Sequence, residues 1–230
     1  MNLTLVWAAF RRTHWIRLAL LTIIFITGYF TIAAEKTVLA GEGAWFVWVL
    51  GAGIIGKDVS EGVLSLLFSR PIKRAEYVFS KWMAVGLMAS ALTWLYLAVG
   101  WSILWHLNEP PAWTQMGTSL VLALLICFGT SAALVFLSTL VPGIGDLALM
   151  FLILLAGQLL EWWVAGQSWP LVKWFLHNIV VFLFPGMGWQ SMGLGDISLL
   201  DWIGYFSIVT IWLTLAVGMM NRKEITYANS

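Results

Sequence analysis

The sequence predicts an all-α membrane protein with six spans, and three observations predict it. The 230 residues are 61% hydrophobic and only 10% charged, whereas a soluble domain carries about 25% charged residues. The mean hydropathy is +0.90, so lipid is the solvent for most of the chain. Lys and Arg are also distributed unevenly along a set of apolar runs, each near the length that crosses a bilayer. The sixteen Trp suit the interface, where an indole ring is buried and its N–H meets headgroups.

Residues 1–14 mix Leu3, Val6, Trp7 and Phe10 at helical spacing with Arg11, Arg12 and His14. That pattern predicts an amphipathic helix lying in the interface; the plainer alternative is a basic flank. Span one covers residues 15–34, and Glu35 and Lys36 end it. About 20 helical residues cross a ~30 Å core. No small-x-small cleavage pattern follows this run, so it reads as a retained span rather than a signal peptide. Span two covers 38–56. Glu42 interrupts its outer end and reads as an interface carboxylate, being a few residues from the boundary. The run GAGIIG (51–56) reads as a close-packing surface of small residues.

Span three covers 82–105, and Pro110–Pro111 forbid helix in the loop after it. Span four covers 119–141. In VPGIGD (141–146), Pro142 and Gly143 break the helix, and Asp146 is placed to cap the next. Span five covers 147–165. Residues 166–198 include an apolar run of 14 residues (171–184) and a Gly-rich stretch. Runs that short are more often re-entrant or interfacial than spanning, so this region predicts a hairpin of short helices dipping into the outer leaflet. Span six covers 202–220, followed by a short polar tail.

With this layout, ten of the twelve Lys and Arg fall on one face: Arg11, Arg12, Arg17, Lys57, Arg70, Lys73, Arg74, Lys81, Arg222 and Lys223. The other face keeps Lys36 and Lys173. Positive residues stay in the cytoplasm, which places both termini there and the chain in the cell membrane. A seventh span at 171–184 would move Arg222 and Lys223 outside.

Residues 57–81, KDVSEGVLSLLFSRPIKRAEYVFSK, are the one long stretch both charged and apolar, with eight of the twenty-three charged side chains. Val59, Val63, Leu66 and Leu67 form one helical stripe. Lys57, Asp58, Ser60 and Glu61 lie mostly off it. Gly62 inside that helix costs about 1 kcal/mol relative to Ala, so another backbone comes close there or the helix bends. Pro71 pushes Arg70 out of helical backbone and suits the first position of a second helix. That helix carries Lys73, Arg74, Glu76 and Lys81 into span three. The segment predicts a cytoplasmic elbow able to receive force from a soluble partner. Its cations would alternatively only anchor to anionic lipid, at about 1 kcal/mol each.

Other chemistries find little support. Cys127 stands alone in an apolar run, so neither a disulfide frame nor a Cys metal cluster is expected. His14, His106 and His177 have no ligand spacing, and no H-E-x-x-H is present. A secondary transporter would want midplane charges and inverted repeats, whereas spans three and four lack charge and no convincing internal repeat is present. The net charge of +1 gives no reason to expect nucleic acid. Glu161, Lys173 and His177 are the candidate polar groups near a substrate path. Their plainer reading is as outer-interface residues within the aromatic belt of Trp162, Trp163 and Trp174.

From Asp58 to Lys81 the pattern D-x-x-x-G-x-L-x-L-L-x-S-R-P-I-x-R-x-x-Y-x-x-x-K resembles the elbow of type 2 ABC transporter permeases. The motif covers about 25 residues, and the layout of six spans with a dipping hairpin is similar over the whole chain. The Ser-Arg-Pro wording is closer to small stand-alone permeases, such as those of copper-enzyme maturation and gliding-motility systems, than to polysaccharide exporters. Glu61 matches the family, while Val63 stands where Thr is common. The resemblance implies a permease that is not itself an enzyme, paired with a second copy and docked through its elbow on a separate cytoplasmic ATPase. ATP and Mg would sit on that partner, since no G-x-x-x-x-G-K-[ST] occurs here. It implies export, and it implies coupling roles for Asp58, Glu61, Gly62, Ser69, Arg70, Pro71, Arg74 and Lys81. Of these, Glu61 is expected to meet the ATPase, and Arg70 and Arg74 to brace the turn. A membrane assembly or anchoring subunit without transport is the alternative.

Overall fold

A computed structural model describes residues 15–60, 73–141, 145–165, 171, 178–179, 181–186, 189 and 197–227. All regular structure among them is helical: α1 (Trp15–Glu35), a 3-10 turn (Ala40–Glu42), α2 (Gly43–Gly51), α3 (Gly56–Ser60), α4 (Arg74–His106), α5 (Trp113–Leu140), α6 (Gly145–Ala165) and α7 (Leu199–Tyr227). Among the described residues, α1, α4, α5 and α7 contain stretches long and apolar enough to cross a membrane.

The bundle is built around α5. Its mean hydropathy of 2.6 is the highest of the four, and 72% of its apolar window is buried, against 11% for α1. A helix apolar all round belongs inside, and α4, α2 and α7 pack against α5. Tyr205 on α7 donates its hydroxyl to the Leu125 carbonyl at 2.7 Å, and Trp82 on α4 donates its indole N–H to the Phe128 carbonyl at 2.9 Å. Each polar tip is satisfied while its ring stays buried or half-buried, the condition for an aromatic in a dry interior. Outward, α1 shows Leu18, Ile23, Ile26 and Phe30, side chains that suit contact with acyl chains.

Two elements depart from the sequence reading. The expected second span is not continuous: α2 ends at Gly51, residues 52–55 form a turn, and α3 begins at Gly56. Gly53 sits at φ +66°, a conformation glycine adopts at no steric cost and other L-residues do not. The rising helix of the elbow begins at Arg74 rather than at Pro71, because Lys73 takes extended backbone (φ −70°, ψ 137°) and serves as its N-cap. Of the stripe Val59, Val63, Leu66 and Leu67, only Val59 lies within the described residues, and it is half-buried against the core. The N-terminal helix expected at 1–14 lies outside the described residues, as does most of the hairpin expected at 166–198.

Within that region, the described residues 182–185 pack against α5 and α7. Leu183 and Phe184 are buried, and the Phe182 carbonyl accepts the Trp212 indole N–H at 2.9 Å. Gly129 on α5 faces Pro185 so closely that an added Cβ would sit 2.8 Å from the Pro185 carbonyl oxygen and 3.1 Å from the Tyr205 ring. Gly129 lies 16 residues past Trp113, roughly 24 Å along the helix at 1.5 Å per residue. The obstacle is backbone, which cannot rotate aside. Gly129→Ala should therefore cost about 1–3 kcal/mol, the range for overpacking, read as a lowered thermal midpoint in detergent. An unchanged midpoint would show that the 181–186 segment is free to move away.

Candidate functional site: the base of the elbow

A buried ion pair joins the two described ends of the 57–81 segment, α3 and the start of α4. Lys81 Nζ lies 2.8 Å from Asp58 Oδ2, with side-chain exposures of 7% and 2%. Tyr77, fully buried one turn before Lys81, donates its hydroxyl to the same Oδ2 at 2.6 Å. The Lys81 ammonium also lies 5.4 Å from the Tyr77 ring centre, within cation–π range. The positions follow from helix geometry. Tyr77 and Lys81 are i and i+4 on α4, hence one above the other, and both face α3, the first described turn of the elbow. A charge this deep requires a partner, so the α3–α4 contact is fixed by electrostatics as well as by packing.

Arg74 starts α4 and reaches the far end of α7, donating from Nη1 to Asn221 Oδ1 at 3.2 Å. The cationic residues Arg17, Arg74 and Lys81 therefore gather at one end of the bundle, through contacts with Ala52, Asn221 and Asp58. Lys36 pairs with Glu109 at the other end. The two ends differ as the Lys and Arg distribution along the sequence predicts.

Directly before α3, the break in the second apolar segment is closed by side chains from three other helices. Asp146 of α6, fully buried, accepts the Gly53 N–H at 2.8 and 3.1 Å through its two carboxylate oxygens. The Ser138 hydroxyl of α5 accepts the N–H groups of both Ile55 and Gly56 at 3.0 Å. The Arg17 guanidinium of α1 donates to the Leu50 carbonyl at 3.1 Å and the Ala52 carbonyl at 2.6 Å. Non-helical backbone at such a depth is tolerated only where protein groups satisfy it, and here donors and acceptors on both sides of the break are taken. Asp146, expected as a helix cap, in fact reaches across to another element.

Of the other sequence-predicted coupling residues, Glu61, Gly62, Ser69, Arg70 and Pro71 lie outside the described residues. Glu161 belongs to the last turns of α6, its side chain outside the described residues. Lys173 and His177 also lie outside them. The structure thus brings together Asp58 and Lys81, with Tyr77, and carries Arg74 to α7. Sequence reasoning does not single out Arg17, Ser138 or Tyr77 as a working group. Arg17 leaves one trace: an arginine three residues into a span needs carbonyl partners nearby.

A family model described as ABC-2 family transporter protein matches residues 8–221. The chain belongs to this family. No curated protein and no solved structure matches it. The identification makes the chain a membrane component of an ABC-2 transporter, a transport part and not itself a catalyst. The Asp58–Lys81–Tyr77 cluster and the clamped break therefore belong to an ABC-2 membrane domain, the cluster holding α3 and the break directly preceding it.

Proposed function

We propose that the chain is the permease subunit of an ABC exporter in the cell membrane. A separate cytoplasmic ATPase, carrying ATP and Mg, docks on the 57–81 elbow, and a second copy of the chain completes a homodimer within the lipid. Six spans result when the broken segment 38–56 and α6 are counted with the four longer helices, and both termini are then cytoplasmic. The tight packing of Pro185 against Gly129 supports a re-entrant hairpin between spans five and six.

One observation carries the reading: Asp58 and Lys81 join the elbow's first helix to the base of α4 through a buried ion pair. A surface-anchoring segment has no need of such a joint. A lever does, because force applied to the elbow must reach a span without being absorbed by side-chain motion. Buried Asp58 and Lys81 act as the joint, while Glu61 forms the docking face. The break at 52–55 separates the elbow from α2, and its clamp from α1, α5 and α6 ties the elbow's position to those helices. Arg74 carries the same motion to α7. Glu161, Lys173 and His177 remain the candidate polar groups of the substrate path.

The test is coexpression with candidate ABC ATPases. Glu61→Arg should leave the chain inserted and folded but reduce ATPase copurification about tenfold, since reversing one docking charge costs on the order of 1.4 kcal/mol or more. Undiminished copurification would remove the elbow from the docking surface. ATP hydrolysis independent of the permease would favour a passive anchoring role.

A further inference from the structure

At the end of the bundle opposite the elbow, a cavity of about 630 Å³ opens between the α1–α2 connection, the end of α4 and the start of α5. That volume is within the ~300–1,000 Å³ range of small-molecule sites. Its mouth carries Lys36 and Glu109, which pair with each other while remaining about half exposed. Both are held by backbone rather than left on mobile loops. Lys36 has φ +56° and donates its N–H to the Ile32 carbonyl at 2.8 Å. Glu109 follows Asn108 at φ +60° and donates its N–H to the Leu104 carbonyl at 2.9 Å. Both left-handed residues close helix C-termini, Lys36 at the end of α1 and Asn108 at the end of α4, and these caps fix where the two charged side chains start.

The wall is also unusual. The first turns of α5 turn Thr114, Gln115, Thr118 and Ser119 to the cavity. Positions i, i+1, i+4 and i+5 form one face of a helix that is otherwise strongly apolar. A face packed against lipid or core would be apolar. Leu104 and Leu122 supply an apolar side of the same space. The cavity therefore offers one cation, one anion, neutral hydrogen-bonding groups and an apolar wall. An exposed ion pair contributes little by itself, so a ligand bearing both charges can replace it at small cost.

We propose that this cavity binds a zwitterionic head group, its ammonium against Glu109, its phosphate or carboxylate against Lys36, and its remaining polar atoms on Thr118, Ser119 and Gln115. The inference does not depend on how the elbow is driven. The head group has two possible sources, a membrane lipid or a soluble zwitterion.

The probes are phosphatidylethanolamine and phosphatidylglycerol, measured by native mass spectrometry on the purified full chain, and soluble phosphoethanolamine, measured by calorimetry. The parent should retain phosphatidylethanolamine about tenfold better than phosphatidylglycerol, the size expected for one added charge contact. Glu109→Lys should invert that preference, a directional change that partial unfolding does not produce. Ser119→Leu, which fills the cavity with an apolar group suited to a span, should abolish retention of both lipids while leaving the thermal midpoint unchanged. Binding of soluble phosphoethanolamine would assign the site to free zwitterions. Its failure, with lipid retained, would assign it to a lipid whose chains use the apolar wall. Binding of neither lipid nor phosphoethanolamine would overturn the proposal, and so, where lipid is retained, would equal retention of the two lipids by the parent or an unaltered preference in Glu109→Lys.

Discussion

Asp58→Leu should destabilise the protein by about 3–5 kcal/mol, the cost of stranding one partner of a buried ion pair. Lys81 would then lose its Asp58 anion at 7% side-chain exposure, and the Tyr77 hydroxyl would lose its 2.6 Å acceptor. Lys81→Met should cost a similar amount, because it removes the Lys81 cation from the buried Asp58 carboxylate. The double variant is the informative one. Replacing both ions by apolar groups of similar volume is often neutral or stabilising, so Asp58→Leu/Lys81→Met should be more stable than either single variant. Unfolding of the four proteins by SDS titration in mixed micelles completes the cycle. Single variants within about 1 kcal/mol of the parent would mean that water reaches the pair and that it is no joint. The double variant also separates stability from coupling. If the joint transmits force, the recovered protein should still bind its ATPase but lose transport-linked ATP hydrolysis, since an apolar contact slides where an ion pair holds.

The apolar runs made the helices legible, because lipid demands about 20 consecutive apolar residues wherever a helix crosses it. Prolines 110 and 111 likewise mark the connection between α4 and α5, where residues 109–112 are not helical. What lipid hides is the inward face. In water, a helix shows its buried side by contrast with a polar one; in a bilayer both sides are apolar, so periodicity is weak evidence for what a side chain meets. Asp58 and Lys81 stand out in the sequence as charged elbow residues, yet nothing in a separation of 23 residues says that they meet. The run 51–56 reads as small residues for close packing. Gly51 agrees with that, since an added Cβ would sit 2.4 Å from a Leu134 methyl group, but Gly53 breaks the helix instead. The break depends on Asp146, Ser138 and Arg17, each of which has an ordinary local explanation as a cap, a small polar residue or a cytoplasmic cation. Only the tertiary arrangement makes them one group.

Asp146→Ala is the second variant expected to have a large effect. The Gly53 N–H would lose both carboxylate contacts, 2.8 and 3.1 Å long, and the Arg17 guanidinium would lose the anion that acts on it. A hydrogen bond to a charged group contributes about 1.5–3 kcal/mol, so a loss of about that size or more is expected. Asp146→Asn should fall between, because the amide carbonyl preserves one acceptor but not the charge. Ser138→Ala strands the N–H groups of Ile55 and Gly56 together, at about 1–3 kcal/mol for each buried donor left unsatisfied. Gly53→Ala, at φ +66°, should cost about 1–2 kcal/mol or more from the left-handed backbone alone. Hydrogen exchange gives the decisive readout. Loss of Asp146 or Ser138 should raise exchange at residues 52–56 while α4 and α5 remain protected, because the damage is confined to the break. If exchange rises evenly over the bundle, the clamp is part of the general core. If it does not change at 52–56, these side chains do not hold the break shut, and the elbow must be positioned by the Asp58–Lys81 pair alone.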